Sequence, residues 1–354
     1  IISVGSDRNI FIEGSSVRER VIKYGGLCNN LHIIIFTKRN LGFTQTQISK
    51  NVFIYPTSSL SKWLYIYDAY KIGKTILDID MVTTQDPFES GLAGMFIART
   101  QKAKLHIQIH TDFLSPFFKT SYLNRIRIYI AKMIIPRADC IRVVSNRIKD
   151  SIQRHFHLVV TPIILPIFID IEKCKSAAVS TDVHKKYPQF DFILLMVSRF
   201  EKEKNIKAGI DALKILSKES KNVGLVIVGD GSERKSLESY VKKIRLMDYV
   251  VFEGWKTDVI SYYKSSDLFL NTSLYEGYGQ TLVEALATGT PVLTTDVGVA
   301  DEIGADIFVS EEDLTSKISS YILGKGKKQV LQNYPYHNED MYLLQLKDSW
   351  NKCV

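Results

Sequence analysis

Short apolar runs rich in β-branched residues recur along the chain. Between them lie longer stretches in which apolar positions return every three or four residues. Residues 31–37 (LHIIIFT), 51–55 (NVFIY), 81–84, 105–110 and 140–145 read as strands covered on both faces. Residues 59–72, 87–100, 121–135 and 146–154 read as the helices between them. The opening residues, 1–5, read as one more strand. Such alternation implies parallel pairing through right-handed crossovers.

The pattern loosens from Pro162 to about Phe190, where Pro162, Pro166 and Pro188 flank a polar middle. It then restarts. Strands are expected at 192–197, 223–228, 250–252, 268–271 and 291–294, with helices at 206–218, 232–245, 258–264 and 279–288. The tail, 338–352, reads as a helix. The 354 residues suit two domains of ordinary size. The expectation is an α/β protein of two Rossmann-like, doubly wound parallel-sheet domains facing a central cleft. Residues 1–165 form the first domain, 166–190 a linker, 191–335 the second domain and 336–354 a terminal helical segment.

Composition narrows the class. Apolar residues make up 45% and charged residues 24%, the balance of a globular protein. No run approaches the roughly 20 apolar residues that span a bilayer. Cys28, Cys140, Cys174 and Cys353 are far apart and form no CxxC pair, which suits reduced thiols of a cytoplasmic protein. Asp78-Ile79-Asp80 has the form of a metal-binding DxD. It precedes a strand and so falls at the wrong end of a parallel sheet, and no metal site is expected.

The net charge of +8 is unevenly spread. Between Phe117 and Asp150, eight basic residues face only Asp139 and Asp150. Residues 123–135 also carry an apolar helical stripe, so this segment suits either packing on the sheet or an anionic membrane surface. No nucleic-acid-binding motif accompanies it.

In open parallel sheets, ligands bind beyond the carboxyl ends of the strands. Arg199 and Lys204 follow the strand 192–197 and flank a turn into a helix, an arrangement suited to a diphosphate or to a solvated charge run. Gly229 and Gly231 follow the strand 223–228 and allow close approach of a nucleotide, or simply a tight turn. The strongest signal is Tyr275-Glu276-Gly277-Tyr278-Gly279-Gln280-Thr281-Leu282, continuing to Glu284 and closed by Gly289 and Pro291. Its loop and free helical N–H groups suit phosphate or sugar oxygens, with Glu276 in the loop and Glu284 inside the helix as polar partners. In the first half, His110 ends a strand and would face the cleft or simply pack, and Gly5 ends the first strand, where it could face a phosphate of the donor.

Taken in order, Ser198-Arg199, Glu203-Lys204, Val228-Gly229-Asp230-Gly231, Phe252-Glu253-Gly254-Trp255, the Tyr275–Ala285 run and Gly289-Thr290-Pro291-Val292 resemble glycosyltransferase family 4. The resemblance covers roughly residues 190–310. It implies the GT-B fold and a retaining hexosyltransferase that takes a UDP- or GDP-sugar and needs no cofactor. Arg199 and Lys204 would neutralise the donor diphosphate, and Glu284 would bind the ribose. Glu276 and the backbone of Gly277, Tyr278, Gly279, Gln280, Thr281 and Leu282 would bind the sugar and its phosphate. Gly229, Gly231 and the Trp255-Lys256 loop would surround the base, and His110 would contact the sugar from the first domain. The terminal helix would pack back on that domain. The acceptor is a glycan, a lipid-linked sugar or a small molecule, and the site a cytoplasmic one, with or without peripheral attachment to the membrane. The same residues would also serve a non-catalytic nucleotide-sugar-binding subunit. The loop after the first strand, Gly5-Ser6-Asp7-Arg8, lacks the family's glycine pair.

Overall fold

The computed structural model describes residues 1–218 and 222–354. In chain order its elements are β1 (Ile2–Gly5), α1 (Ser16–Gly25), β2 (Leu31–Ile35), β3 (Thr46–Ser49), β4 (Val52–Pro56) and α2 (Tyr65–Gly73). There follow β5 (Met81–Thr84), α3 (Glu89–Gln101), β6 (Lys104–Ile109), α4 (Tyr122–Ile134), β7 (Cys140–Val143), α5 (Asn146–His155) and β8 (Ile163–Ile164). Next come α6 (Ile171–Ser176), α7 (Val183–Lys186), β9 (Phe192–Val197), α8 (Ile206–Leu216), β10 (Val223–Val228), α9 (Arg234–Lys243) and β11 (Val250–Gly254). The chain closes with α10 (Val259–Lys264), β12 (Leu268–Asn271), α11 (Gln280–Ala287), β13 (Val292–Thr294), β14 (Asp306–Ile307), α12 (Glu311–Ile322) and α13 (Glu339–Asn351).

These elements build two compact units. One comprises Ile1–Pro166 with Asn338–Val354, and the other Ile167–His337. Residues 167–190 thus belong to the second unit. There Ser180 N–H donates to Ser261 Oγ at 2.9 Å and Val183 N–H to Ser265 Oγ at 3.1 Å.

The first unit holds a sheet in the order β3-β4-β2-β1-β5-β6-β7-β8, parallel except for the antiparallel β3 on its edge. Its central strands are buried on both faces, which is why they read as unbroken apolar runs rather than alternating ones. The strand order reverses between β1 and β5.

The second unit holds the sheet β11-β10-β9-β12-β13-β14, all parallel, which reverses between β9 and β12. Its core is aliphatic: Leu194, Leu225, Ile227, Leu268, Leu270 and Leu293 are fully buried between the sheet and α8, α9 and α12.

Three readings need correction. The helix expected from Ser59 begins only at Tyr65, because Ser58 takes a left-handed φ of 47° and Ser59 pairs with Lys38 as an isolated parallel bridge. The chain continues through a 3-10 turn, Lys62–Leu64, before α2. The cysteines are not all reduced thiols, since Cys140 and Cys353 form a disulfide with a Cα–Cα distance of 5.5 Å. The fold brings the end of α13 against β7, across 213 residues of sequence. Finally, the positive charge of 117–150 is not all superficial. Arg142 points into the core and is 4% exposed, and Arg127 is paired with Glu89 at 2.9 Å.

Candidate active site

In the second unit the reversal of strand order opens a position beyond β9 and β12, where ligands bind in doubly wound sheets. Arg199, Lys204, Glu276 and their loops follow these two strands. The ion pair between Lys204 Nζ and Glu276 Oε1, at 2.5 Å, joins the loop after β9 to the loop after β12. Both side chains are largely buried, and Ser273 Oγ donates to the same carboxylate oxygen at 2.9 Å. Arg199 is exposed, with Glu203 at 3.4 Å.

Gly279 caps α11 with a left-handed φ of 88° and, as a glycine, offers that helix end no side-chain cap. Its N–H groups and positive dipole end therefore face whatever occupies the loop. Gly277, Tyr278, Gln280, Thr281 and Leu282 complete the turn. Leu282 is fully buried and Tyr278 4% exposed, so these two anchor the turn. One turn along, Glu284 accepts from Gln280 Nε2 at 2.8 Å and from the buried Tyr263 hydroxyl at 3.2 Å. Burial raises its carboxyl pKa, although both bonds oppose the rise.

Gly229 and Gly231 have steric reasons to be glycine. Gly229 has a φ of 134°, and a Cβ there would stand 1.9 Å from Ser198 O. At Gly231 a Cβ would stand 2.5 Å from the Phe200 carbonyl. Trp255, after β11, is 72% exposed, and Lys256 pairs with Glu253 at 3.1 Å. Burial works to raise the Glu253 pKa. Bonds from Lys186, Tyr187 and Lys256 outweigh it and bring the value down to about 2.

Two further polar atoms lie at the ends of β9 and β12. Ser198 Oγ, after β9, and Asn271 Nδ2, at the end of β12, are buried without a hydrogen-bond partner among the described residues. Buried polar groups are nearly always paired, so these two stand out among the described residues.

In the first unit, Gly5 ends β1 beside the other strand reversal. A Cβ at Gly5 would meet the Gln85 carboxamide at 2.1 Å, so close packing against Gln85 accounts for the glycine. His110 follows β6, and its Nε2 lies 3.2 Å from Gln108 Oε1. Desolvation first, and the Arg142 charge second, lower its pKa to about 3, so the ring is neutral at pH 7. Arg142 Nη1 donates to that same Gln108 oxygen at 2.9 Å, while Gln108 Nε2 donates to Thr83 Oγ1 at 3.0 Å. The carboxamide orientation is thereby set, and the oxygen facing His110 requires Nε2 to carry the proton. Gln108 and Arg142 are thus positioning residues that sequence reasoning missed.

Among the described residues no cluster of three His, Cys, Asp or Glu side chains has metal-binding geometry. Asp78 and Asp80 lie at the amino end of β5. No described helix is long and apolar enough to cross a membrane.

This architecture is the GT-B fold. A sucrose-phosphate synthase from Thermosynechococcus elongatus superposes with a TM-score of 0.79 and 17% identity, over 99% of this chain and 98% of that one. Anabaena Alr3699/HepE, in complex with UDP and glucose, gives 0.75 and 17% over 99% of each. The chain belongs to the glycosyltransferases of family 4. Residues 30–173 match the family described as Glycosyltransferase Family 4, and residues 181–332 match Glycosyl transferases group 1. An alpha-monoglucosyldiacylglycerol synthase of Streptococcus pneumoniae is 26% identical over 257 residues, which is 68% of this chain and 58% of that protein.

Proposed function

We propose that the chain transfers a hexose from a nucleoside-diphosphate sugar to an acceptor hydroxyl with retention of configuration. The observation that carries this reading is the Lys204–Glu276 pair beside the glycine-capped end of α11, with Glu284 one turn further on. A UDP-sugar is the first donor to test, since UDP is the nucleotide named with Alr3699/HepE; a GDP-sugar is the second. Arg199, Lys204 and the helix N–H groups would stabilise the negative charge that develops on the leaving diphosphate. Preorganised charge of this kind is usually the largest catalytic contribution. Glu276 would balance positive charge on the sugar, Glu284 would hold the ribose, and Gly229, Gly231 and Trp255-Lys256 would lie around the base. His110, on the family likeness, is the first unit's contact to the sugar. Gly5, at the end of β1, would let a donor phosphate approach the backbone there.

The proposed reaction takes place on one face of the sugar, with the departing phosphate accepting the acceptor's proton. A glycosyl adduct trapped on Glu276 would overturn that route. Charge is handled by cations and dipoles, so we infer that turnover needs neither metal nor cofactor; loss of activity in EDTA with recovery in Mn²⁺ would contradict this. For the acceptor, the name of the S. pneumoniae relative favours a lipid. A site on the cytoplasmic membrane face, reached through Arg125 and Lys132 of α4, accords with that. The test of the donor assignment is thermal shift against UDP, GDP, ADP and their sugar conjugates, because a ligand that binds only the folded state raises the midpoint. A rise with one nucleotide, lost in Arg199→Ala/Lys204→Ala, is expected. No rise with any of them defeats the reading.

A further inference from the structure

Side chains alternate along a strand, so His106, Gln108 and His110 share one face of β6 and the turn that ends it. Register sets Thr83 of β5 beside His106, and Arg142 of β7 beside Gln108. A ladder of hydrogen bonds follows that register. His106 Nδ1 is 2.8 Å from Thr83 Oγ1, and Gln108 Nε2 donates to the same oxygen at 3.0 Å. Gln108 Oε1 takes Arg142 Nη1 at 2.9 Å and His110 Nε2 at 3.2 Å. Most of these groups can donate or accept. With the Gln108 carboxamide turned over, it would donate to His110 and accept from Thr83, which would accept from His106. Both histidines would then carry their proton on Nδ1. That arrangement suits every member but Arg142, which has donors only and would face the Gln108 amide. Arg142 therefore sets the direction of the whole ladder. Thr83 donates to His106, and His110 keeps its proton on Nε2. His110 is half-buried and the described residues give its Nδ1 no partner, so the bare nitrogen is the one left for a ligand.

Arg142 is buried, and no carboxylate pairs with it among the described residues. Besides Gln108, its Nη2 donates to Leu165 O at 3.2 Å and to the Tyr342 hydroxyl at 3.3 Å. A buried cation without a countercharge is costly, so these neutral acceptors are what hold it in place. Tyr342 belongs to α13, where Tyr342, Leu346, Ser349 and Trp350 form the inward stripe. Its ring lies against the guanidinium, with Arg142 Cζ 5.8 Å from the centroid. Its hydroxyl is in turn 2.9 Å from that of Tyr24 on α1. The disulfide of Cys140 and Cys353 ties the end of the same helix to β7, two residues before Arg142. The group that orients the ladder is thus held by a helix 200 residues further along the chain.

We propose that Tyr342 is a positioning residue for His110. By holding Arg142 against Gln108 it keeps the His110 proton on Nε2 and leaves Nδ1 bare, to accept a hydrogen bond from a hydroxyl of the reactants. The ladder stands on contacts within the first unit alone, and its bearing on turnover rests on the transferase reading.

The experiment is nitrogen-15 NMR of the ligand-free full chain, labelled at histidine, at neutral pH. Correlations between the ring protons and ring nitrogens show which nitrogen carries the proton, and His110→Asn assigns the signal. The parent should show His110 protonated on Nε2. Tyr342→Phe keeps the ring and removes only the hydroxyl. It should mix the two tautomers of His110 and lower kcat, read as UDP release from a UDP-sugar, by about fivefold to tenfold, the worth of one hydrogen bond. UDP affinity should stay unchanged. Gln108→Glu offers oxygens only and reads the same when turned over, so Gln108→Glu/Tyr342→Phe should return the proton to Nε2. Disturbed packing at Tyr342 would not be rescued in this way. A His110 proton on Nδ1 in the parent would overturn the proposal. So would a Tyr342→Phe spectrum identical to the parent's, or tautomers that stay mixed in the double variant. Mixed tautomers in Tyr342→Phe with unchanged turnover would support the hold of Tyr342 on His110 and overturn the part of His110 in the reaction.

Discussion

Lys204 and Glu276 are 72 residues apart in sequence and 2.5 Å apart in space, and each is largely buried by the loops that carry it. Among the described residues neither side chain enters another ion pair, so this one ties the two loops together. A donor diphosphate would compete with Glu276 for the lysine. Lys204→Ala should therefore lower kcat by about 100-fold or more, the loss expected when one preorganised donor to a developing anion is removed. It also leaves a largely buried carboxylate without its countercharge, held only by the Ser273 hydroxyl, which should cost about 1–3 kcal/mol of stability. Lys204→Arg should recover the stability but not the rate. Steady-state kinetics and urea melts on both variants check the prediction, and full activity in Lys204→Ala would contradict it.

Glu284 offers a different signature. Burial raises its pKa, so the folded state binds its proton more tightly than the unfolded state. The sign follows: this carboxyl's favourable contribution is present below the unfolded value of 4.5 and is lost as pH rises through the folded value. Glu284→Gln removes that loss and should leave the protein at neutral pH at least as stable as the parent. It should weaken nucleotide binding by about 1.5–3 kcal/mol, as expected for loss of a charged hydrogen-bond acceptor. The parent should discriminate against a 2′-deoxyribose donor, and the variant should not. Equal preference in both proteins would remove Glu284 from the ribose.

What the sequence reveals of this site follows from how far apart its parts lie. The loop from Glu276 to Leu282 and the helix behind it are legible, because Gly277, Gly279, Gly289 and Pro291 punctuate a single stretch. The strands are legible for the same local reason. The Lys204–Glu276 bond is not, since no local pattern records a contact between two loops. Helix α1 escapes notice because SVRERVIKYG is mostly polar and buries only Val21 and Gly25. Arg142 misleads in the opposite direction. It counts as one of eight surface cations in the sequence, yet β7 turns it inward, where the Leu165 carbonyl, Gln108 and the Tyr342 hydroxyl take up its donors. Leu165 and Tyr342 come from chain 23 and 200 residues away.

The first unit should be sensitive to acid. His106 is 1% exposed, its Nδ1 is 2.8 Å from Thr83 Oγ1, and burial followed by the Arg142 charge lowers its pKa from 6.5 to about 3. The unfolded chain takes up this proton well before the folded one does. Stability is therefore complete above pH 6.5 and is lost as pH falls towards 3, by at most about 1.4 kcal/mol per pH unit for this one group. His106→Asn keeps a polar partner for Thr83 and does not titrate. Urea melts at neutral pH and at about pH 4.5 should show a smaller difference between the two conditions in the variant than in the parent. Parallel pH dependence in the two proteins would assign the acid sensitivity to other groups.

The bond between Cys140 and Cys353 closes the first unit's two stretches of chain into one. Helix α13 already holds its place through non-covalent contacts: Tyr342 meets Tyr24, with hydroxyls 2.9 Å apart, and Trp350 is 5% exposed. The disulfide adds the constraint that the unfolded chain cannot separate these ends, an effect that grows slowly with the length of the closed loop. Cys353→Ser should therefore lower stability by about 2–4 kcal/mol without altering nucleotide binding, because the donor-site residues belong to the other unit. A chemical count comes first: protein denatured without reductant should expose only the thiols of Cys28 and Cys174, and all four cysteines after reduction. Four thiols before reduction would mean that the pair is open in the isolated protein, and the stability of Cys353→Ser should then match the parent.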